Sequence, residues 1–169
     1  MFSVMWLAAI YADGNWILGA ETLSDLGHPS RAGHPMFNGA AIIAGMLLGL
    51  FTLGMYCAHQ AFLYARVSMA IAMVACVSLM CVGIFPIHVE VYHTVASFSF
   101  FGLIVTALIL WMIHDWTQGG DARRYAYFAA LLLVINIFFI GLTEIGMMEA
   151  VAVISVMLWT VVQCLRILK

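Results

Sequence analysis

Charge is what this chain has least of. Lys, Arg, Asp and Glu make up 8% of its 169 residues, against about 25% in an ordinary soluble domain. Apolar residues reach 66%. So few charges cannot cover a surface in water, which excludes a soluble globular protein and makes lipid the solvent. The net charge of −2 excludes electrostatic binding of nucleic acid as a main role. Polar loops lack cysteine. Cys57, Cys76, Cys81 and Cys164 all fall in apolar runs, which points to free thiols rather than a disulfide framework. Internal repeats and low-complexity segments are absent. No charge sits in the middle of an apolar run, and no Gly/Pro pair breaks one at its centre, so a permeation path is disfavoured.

What the chain does have is length of apolar sequence. A bilayer crossing takes about 20 residues of helix, and five runs meet that length: Phe37–Leu63, Tyr64–Phe85, His93–Trp116, Tyr125–Thr143 and Met148–Leu168. Backbone groups in hydrocarbon must bond internally, so the runs are helices. The breaks are Pro86 with its polar neighbours, the "TQGGDARR" loop, the "EIGMME" turn, and a tight turn between Gln60 and Arg66. Met1–Ala12 is apolar but reaches only about 18 Å as helix. Three readings stay open for it: a short first helix, a recorded start downstream of the true one, or a signal peptide ending near "AIYA". The last is weak, because no Lys or Arg precedes the apolar stretch. The fold class is therefore all-α, a polytopic transmembrane bundle of about six helices with a short first helix, forming one domain over residues 1–169.

With six crossings the loops sort onto two sides. Arg66, Arg123, Arg124, Arg166 and Lys169 share one; Arg31 stands alone on the other. The positive-inside bias makes the first side cytoplasmic and puts both termini there, in a multi-pass protein of the cell membrane. The outer pole then carries −5 and gathers His28, His34, His88 and His93, while the inner pole carries +3. Within the spans, Ala41, Gly45 and Gly49 form a small-residue face expected to meet Ser68, Ala72 and Cys76. Asn136 and Thr106 sit near mid-membrane and are expected to bond between helices. Trp111, Trp116 and Trp159 read as anchors or packing.

Against this background the stretch "ETLSDLGHPSRAGHPMFNGA", Glu21 to Ala40, stands out. It holds two of the six histidines and two of the three prolines. Ser24 and Asp25 can cap a helix start, Asn38 can do the same for the next helix, and Gly27 frees the backbone between them. His93 at a membrane boundary can donate to Asp25. One hydrogen-bonded cluster of Asp25, Asn38 and His93 beneath the outer loops is the expectation.

Three segments, "LSDLGHPSRAGHPMFNGAAIIAG", "VGIFPIHVEVYHTVASFSFFG" and "MEAVAVISVMLWTVVQCLRIL", together resemble the prokaryotic membrane family catalogued as domain of unknown function 998. The resemblance rests on Ser24, Asp25, Leu26, Gly27, Phe37, Asn38, Gly83, Phe85, Pro86, His93, Glu149 and Trp159. It runs from about Asp13 to the C-terminus and implies a six-helix membrane bundle, with no activity attached. The family usually has a full first helix, from which this chain departs. His28, His34 and His88 lie outside the family pattern, so the resemblance implies no shared metal site.

Three classes of function follow from the outer residues. The favoured one is a protein that binds a membrane lipid or lipid-like molecule at its outer face. The headgroup would lie near Asp25 and His93, with Asn38, Glu149, Glu144 and Glu90 as further binding residues. The alternative is a membrane-embedded hydrolase acting on lipid headgroups. It would use either a metal held among His28, His34, His88 and His93, or Asp25 and His93 as an acid–base pair with Ser24 as nucleophile. The inventory is similar to that of the ceramidase and adiponectin-receptor group, but the histidines of "HVEVYH" are five apart and not at His-x-x-x-His spacing. The second alternative is a cation or small-solute transporter. The sequence specifies no cofactor, and a second copy or another membrane protein remains open as partner.

Overall fold

The computed structural model describes residues 2–168. Met1 and Lys169, the latter counted at the inner pole above, lie outside the described residues. Six helices follow in order: α1 Phe2–Asp13, α2 His34–Ala58, α3 Leu63–Ile84, α4 Glu90–Gln118, α5 Ala122–Leu142 and α6 Ile145–Ile167. A 3-10 turn, Leu23–Gly27, lies between α1 and α2. Helices α2 to α6 are each long and apolar enough to cross a membrane. The 12 residues of α1 reach about 18 Å and run beside the first half of α2. The chain is an all-α helix bundle and a multi-pass membrane protein. Short links make successive long helices antiparallel, so their ends collect at two poles. One pole carries the 3-10 turn; the other carries the α2–α3 and α4–α5 links.

Helix limits shift from the sequence reading for local reasons. Arg66, expected in the tight turn, belongs to the first turn of α3, because the chain reverses over His59–Phe62. The "EIGMME" segment is not the full break the sequence suggests: α6 starts at Ile145, with Glu144 as its extended N-cap. Gly146 serves proximity there rather than a bend, since a Cβ on it would run into the Glu21 carbonyl. The α4–α5 reversal does need glycine: Gly119 and Gly120 have φ of +73° and +48°.

Packing between α2 and α3 follows the small residues. A Cβ at Gly45 would stand 2.8 Å from the Cys76 carbonyl oxygen, and one at Gly49 would sit 3.7 Å from Cys76 Cβ. The expected Ser68–Ala72–Cys76 face, however, divides. Ser68 Oγ donates to the Ala107 carbonyl of α4 at 2.6 Å, and Ala72 packs in the cluster that contains Ala107 and Trp111. A step of four residues overshoots one turn by about 40°. Eight residues therefore rotate the stripe from the α4 side of α3 to its α2 side.

Asn136 Nδ2 donates across to Ser155 Oγ on α6 at 2.8 Å, as the mid-membrane position suggested, and also to the Leu132 carbonyl. Thr106 does not cross helices. Its hydroxyl bonds the Gly102 carbonyl one turn back, the cheapest acceptor for a threonine facing lipid. Two apolar cores result. One joins Met55, Met69, Trp111, Leu132 and Trp159. The other, at the turn pole, joins Ala9, Leu23, Leu26 and Phe37.

Gly45→Val is expected to destabilise the bundle by about 1–3 kcal/mol, because the added methyls meet α3 backbone that cannot move independently. Thermal unfolding in detergent, followed by circular dichroism, measures it. Gly54→Val, at a site where an added Cβ meets nothing within 4 Å, is the control.

Candidate functional site

A 3-10 turn of five residues leaves N–H groups at its start that water would satisfy in a soluble protein. Here they are met from two sources. Thr22 is the N-cap: its Oγ1 accepts the Asp25 N–H at 3.1 Å, and Asp25 Oδ2 accepts the Thr22 N–H at 2.7 Å and its hydroxyl at 2.8 Å. This reciprocal arrangement is a capping box. The second source is distant in sequence. Glu149, in the second turn of α6, accepts the Leu23 N–H at 2.8 Å through Oε2 and the Ser24 hydroxyl at 2.9 Å through Oε1.

The surrounding chain presses the turn into place. Leu23 and Leu26 are buried against Ala9 and Phe37. Trp16 Nε1 donates to the Thr22 carbonyl at 2.8 Å. Gly27 lies so close to the Asn38 amide oxygen and the Phe37 ring that no Cβ fits, and Asn38 Nδ2 donates back to the Gly27 carbonyl at 3.1 Å. Arg31 bridges Asp13 at 2.8 Å and also binds Glu21, tying the end of α1 to the loop. Hydrogen bonds to Glu21 first and Asp13 second raise the Arg31 pKa above its ordinary value. While Glu21 and Asp13 are ionised, the raised Arg31 pKa contributes stability below the ordinary arginine value that is lost as the pH rises through the folded one.

The expected cluster of Asp25, Asn38 and His93 does not form a hydrogen-bonded unit. Asp25 is engaged by Thr22, three residues away, where no loop has to close. Asn38 does not cap α2 as expected: the cap position is Gly33, and the Asn38 amide instead bonds Gly27. His93 is buried in the first turn of α4, where its Nδ1–H donates to the Phe85 carbonyl at 2.8 Å. That bond occupies a carbonyl left open where Pro86 halts α3. Ser24 bonds Glu149 and not a histidine, so no Ser–His dyad is assembled.

The other candidates lie apart. His28 Nδ1 accepts the Ser30 N–H at 3.2 Å, and its ring meets that of exposed His88 edge-on with centroids 6.1 Å apart. His34 Nδ1 donates to the Arg31 carbonyl at 3.0 Å. Glu90 and Glu144 are exposed at the starts of α4 and α6. Among the described residues, no three of His, Cys, Asp and Glu converge as a metal ion would need.

Two spaces open behind the turn. A cavity of about 30 Å³ lies directly beneath it, lined by Leu23, Phe37, Ala41, Phe100, Phe101 and Glu149. A second space, a cleft of about 50 Å³, runs between the α3–α4 and α5–α6 pairs, past Ala72, Phe101, Ala107, Ala152 and Val156 to Trp159. Phe101 stands between the two and lines both. The residues that the sequence reading passed over are Thr22 and the Arg31–Asp13–Glu21 triad. Thr22-x-x-Asp25 is a readable capping signature. The triad has no local signal, since its members are 8 to 18 residues apart.

Glu149→Ala is expected to lower stability by about 1–3 kcal/mol, because two donors under the turn lose their acceptor. It should also expose the Glu21–Ala40 stretch to proteolysis. Glu149→Gln, which keeps one acceptor oxygen, should lose less. Thermal unfolding and timed protease digestion in detergent read both.

The model of one protein family, described as "Protein of unknown function (DUF998)", matches residues 1–166, and the chain belongs to that family. No curated protein and no solved structure matches the chain.

Proposed function

We propose that this DUF998 membrane protein binds a lipid or lipid-like molecule, its chain lying in the cleft between α4 and α6 and its polar head against the 3-10 turn. The observation that carries this reading is the pair of spaces divided by Phe101. One is an almost wholly apolar cleft at bilayer depth. The other, smaller and nearer the pole, has the Glu149 carboxylate in its wall. An apolar chain gains about 0.8 kcal/mol per methylene only when it leaves water, so in a bilayer the tail supplies shape and the head supplies selectivity. Exposed Glu90, Glu144 and His88 at the same pole offer acceptors to a head that donates hydrogen bonds.

The positive-inside bias sets the side. Arg66, Arg123, Arg124 and Arg166 lie at the pole opposite the turn. The turn therefore faces outward, the lipid comes from the outer leaflet of the cell membrane, and the C-terminus is cytoplasmic.

Two measurements test this reading. Native mass spectrometry of gently extracted protein should find one lipid class enriched over bulk membrane. Ala152→Leu, which fills the cleft, should cut that enrichment severalfold at unchanged helicity. Absence of enrichment, or enrichment indifferent to Ala152→Leu, rejects the lipid reading. For topology, a cysteine at Gly120 in a variant freed of the exposed Cys57 and Cys164 should react only with a reagent inside the cell. Reaction from outside alone would invert the assignment.

A further inference from the structure

A hydroxyl on a helix in lipid ordinarily donates to a carbonyl one turn back. Ser78, Thr106, Thr143 and Thr160 all do so, each to the residue four positions earlier. Ser97, in the second turn of α4, departs from this habit. Its Oγ is buried and, among the described residues, has no hydrogen-bond partner. A buried polar group left unpaired is costly, so one in a folded protein calls for a reason. Ser97 lines the cavity of about 30 Å³ beneath the turn, and Glu149 of α6 lines the same cavity. The rest of the wall is apolar, with Leu23, Phe37, Phe100 and Phe101 in it. The space is small enough for one entering group to lie against both polar residues.

Glu149 uses one lone pair of each oxygen on the turn, for the Leu23 N–H and the Ser24 hydroxyl. Each oxygen keeps capacity for another donor. The cavity therefore offers an acceptor, Glu149, and a hydroxyl, Ser97, whose proton bonds nothing in the protein. Size and charge then narrow the guest. A water-sized group takes about 10–15 Å³, so the cavity admits about two non-hydrogen atoms. A phosphate or a quaternary ammonium is too large. A carboxylate would face Glu149 with no cation beside it, because Arg31 is held by Asp13 and Glu21. A primary ammonium fits and is drawn to Glu149, but it has no lone pair for the Ser97 proton. A primary alcohol satisfies both walls: its O–H donates to Glu149, and its oxygen accepts from Ser97.

We propose that the head of the bound lipid is a primary hydroxyl seated between Glu149 and Ser97, carried by an uncharged long-chain alcohol whose chain passes Phe101 into the cleft. The proposal rests on the lipid reading above and names the head that the site selects. Ser97 is then a specificity-determining residue. Glu149 serves twice, holding the turn with one pair of bonds and receiving the guest with the capacity that remains.

Native mass spectrometry of the purified protein in a neutral detergent tests head and chain separately. The probes, at equal concentration, are hexadecan-1-ol, its methyl ether and hexadecylamine. All three carry the same chain, so Ala152→Leu should weaken the binding of each. The alcohol should be retained severalfold more than the ether, which cannot donate to Glu149, and more than the amine. Ser97→Ala removes a hydroxyl that bonds nothing in the protein, so the melting temperature should hold or rise while retention of the alcohol falls severalfold. Ser97→Thr, which keeps the hydroxyl, should restore it. Equal retention of the three probes, each still weakened by Ala152→Leu, overturns the hydroxyl head and leaves the lipid reading standing. So does stronger retention of the amine, or retention of the alcohol that is indifferent to Ser97→Ala. Retention of none of them overturns both readings. Should Ser97→Ala fail to fold, the ratio of alcohol to ether in the unsubstituted protein decides, and equal retention overturns the proposal.

Discussion

Two oxygens of one carboxylate hold the 3-10 turn, Leu23–Gly27, against the helix bundle. Glu149 reaches from α6 to the Leu23 N–H and the Ser24 hydroxyl, and without it two donors would be enclosed with nothing to bond. Lipid sets this constraint, because hydrocarbon offers no hydrogen bonds to a peptide group. Much else at that pole follows from the same need. Thr22 and Asp25 satisfy each other, the Asn38 amide donates to the Gly27 carbonyl, and Leu23 and Leu26 fill the space between α1 and α2. The polar stretch is dense because the groups it buries find their partners within the protein.

The same constraint orders α6 along its length. Glu149 ties it to the turn, Ser155 to Asn136 on α5, and Arg166 to Asp115 on α4. Each bond between helices in a membrane is worth only about 0.6 kcal/mol on average. Three at different heights nevertheless define a register that smooth apolar faces would leave loose. Small side chains such as Ala72, Ala107 and Ala152 lie along the interval between the outer and inner ties, and the cleft opens there. Polar contacts thus set where α6 stands, and small residues set how much room is left beside it.

Much of the architecture was legible in the sequence. Lipid as solvent, five full spans, a short first helix and the halt before Pro86 all follow from local composition, since a helix in hydrocarbon satisfies its own backbone and needs no distant information. Thr22-x-x-Asp25 is readable for the same reason. Asn136 pointed correctly to a bond between helices, because an amide at that depth has nowhere else to turn.

Tertiary structure decided the rest. Asp25 and His93 share a pole, which made a bond between them reasonable on paper. Each found a partner within eight residues, and such bonds need little loop closure. Glu149 was visible as an acid near the start of the last helix, but its partners lie some 125 residues earlier. Asp115 and Arg166 enter the sequence reading only as charges counted at one pole; the meeting of α4 and α6 pairs them and buries Asp115. The sequence by itself determined which segments enter the membrane, because that choice is made residue by residue against the solvent. Which polar groups then meet was decided by helix rotation and register, which depend on all the packed faces at once.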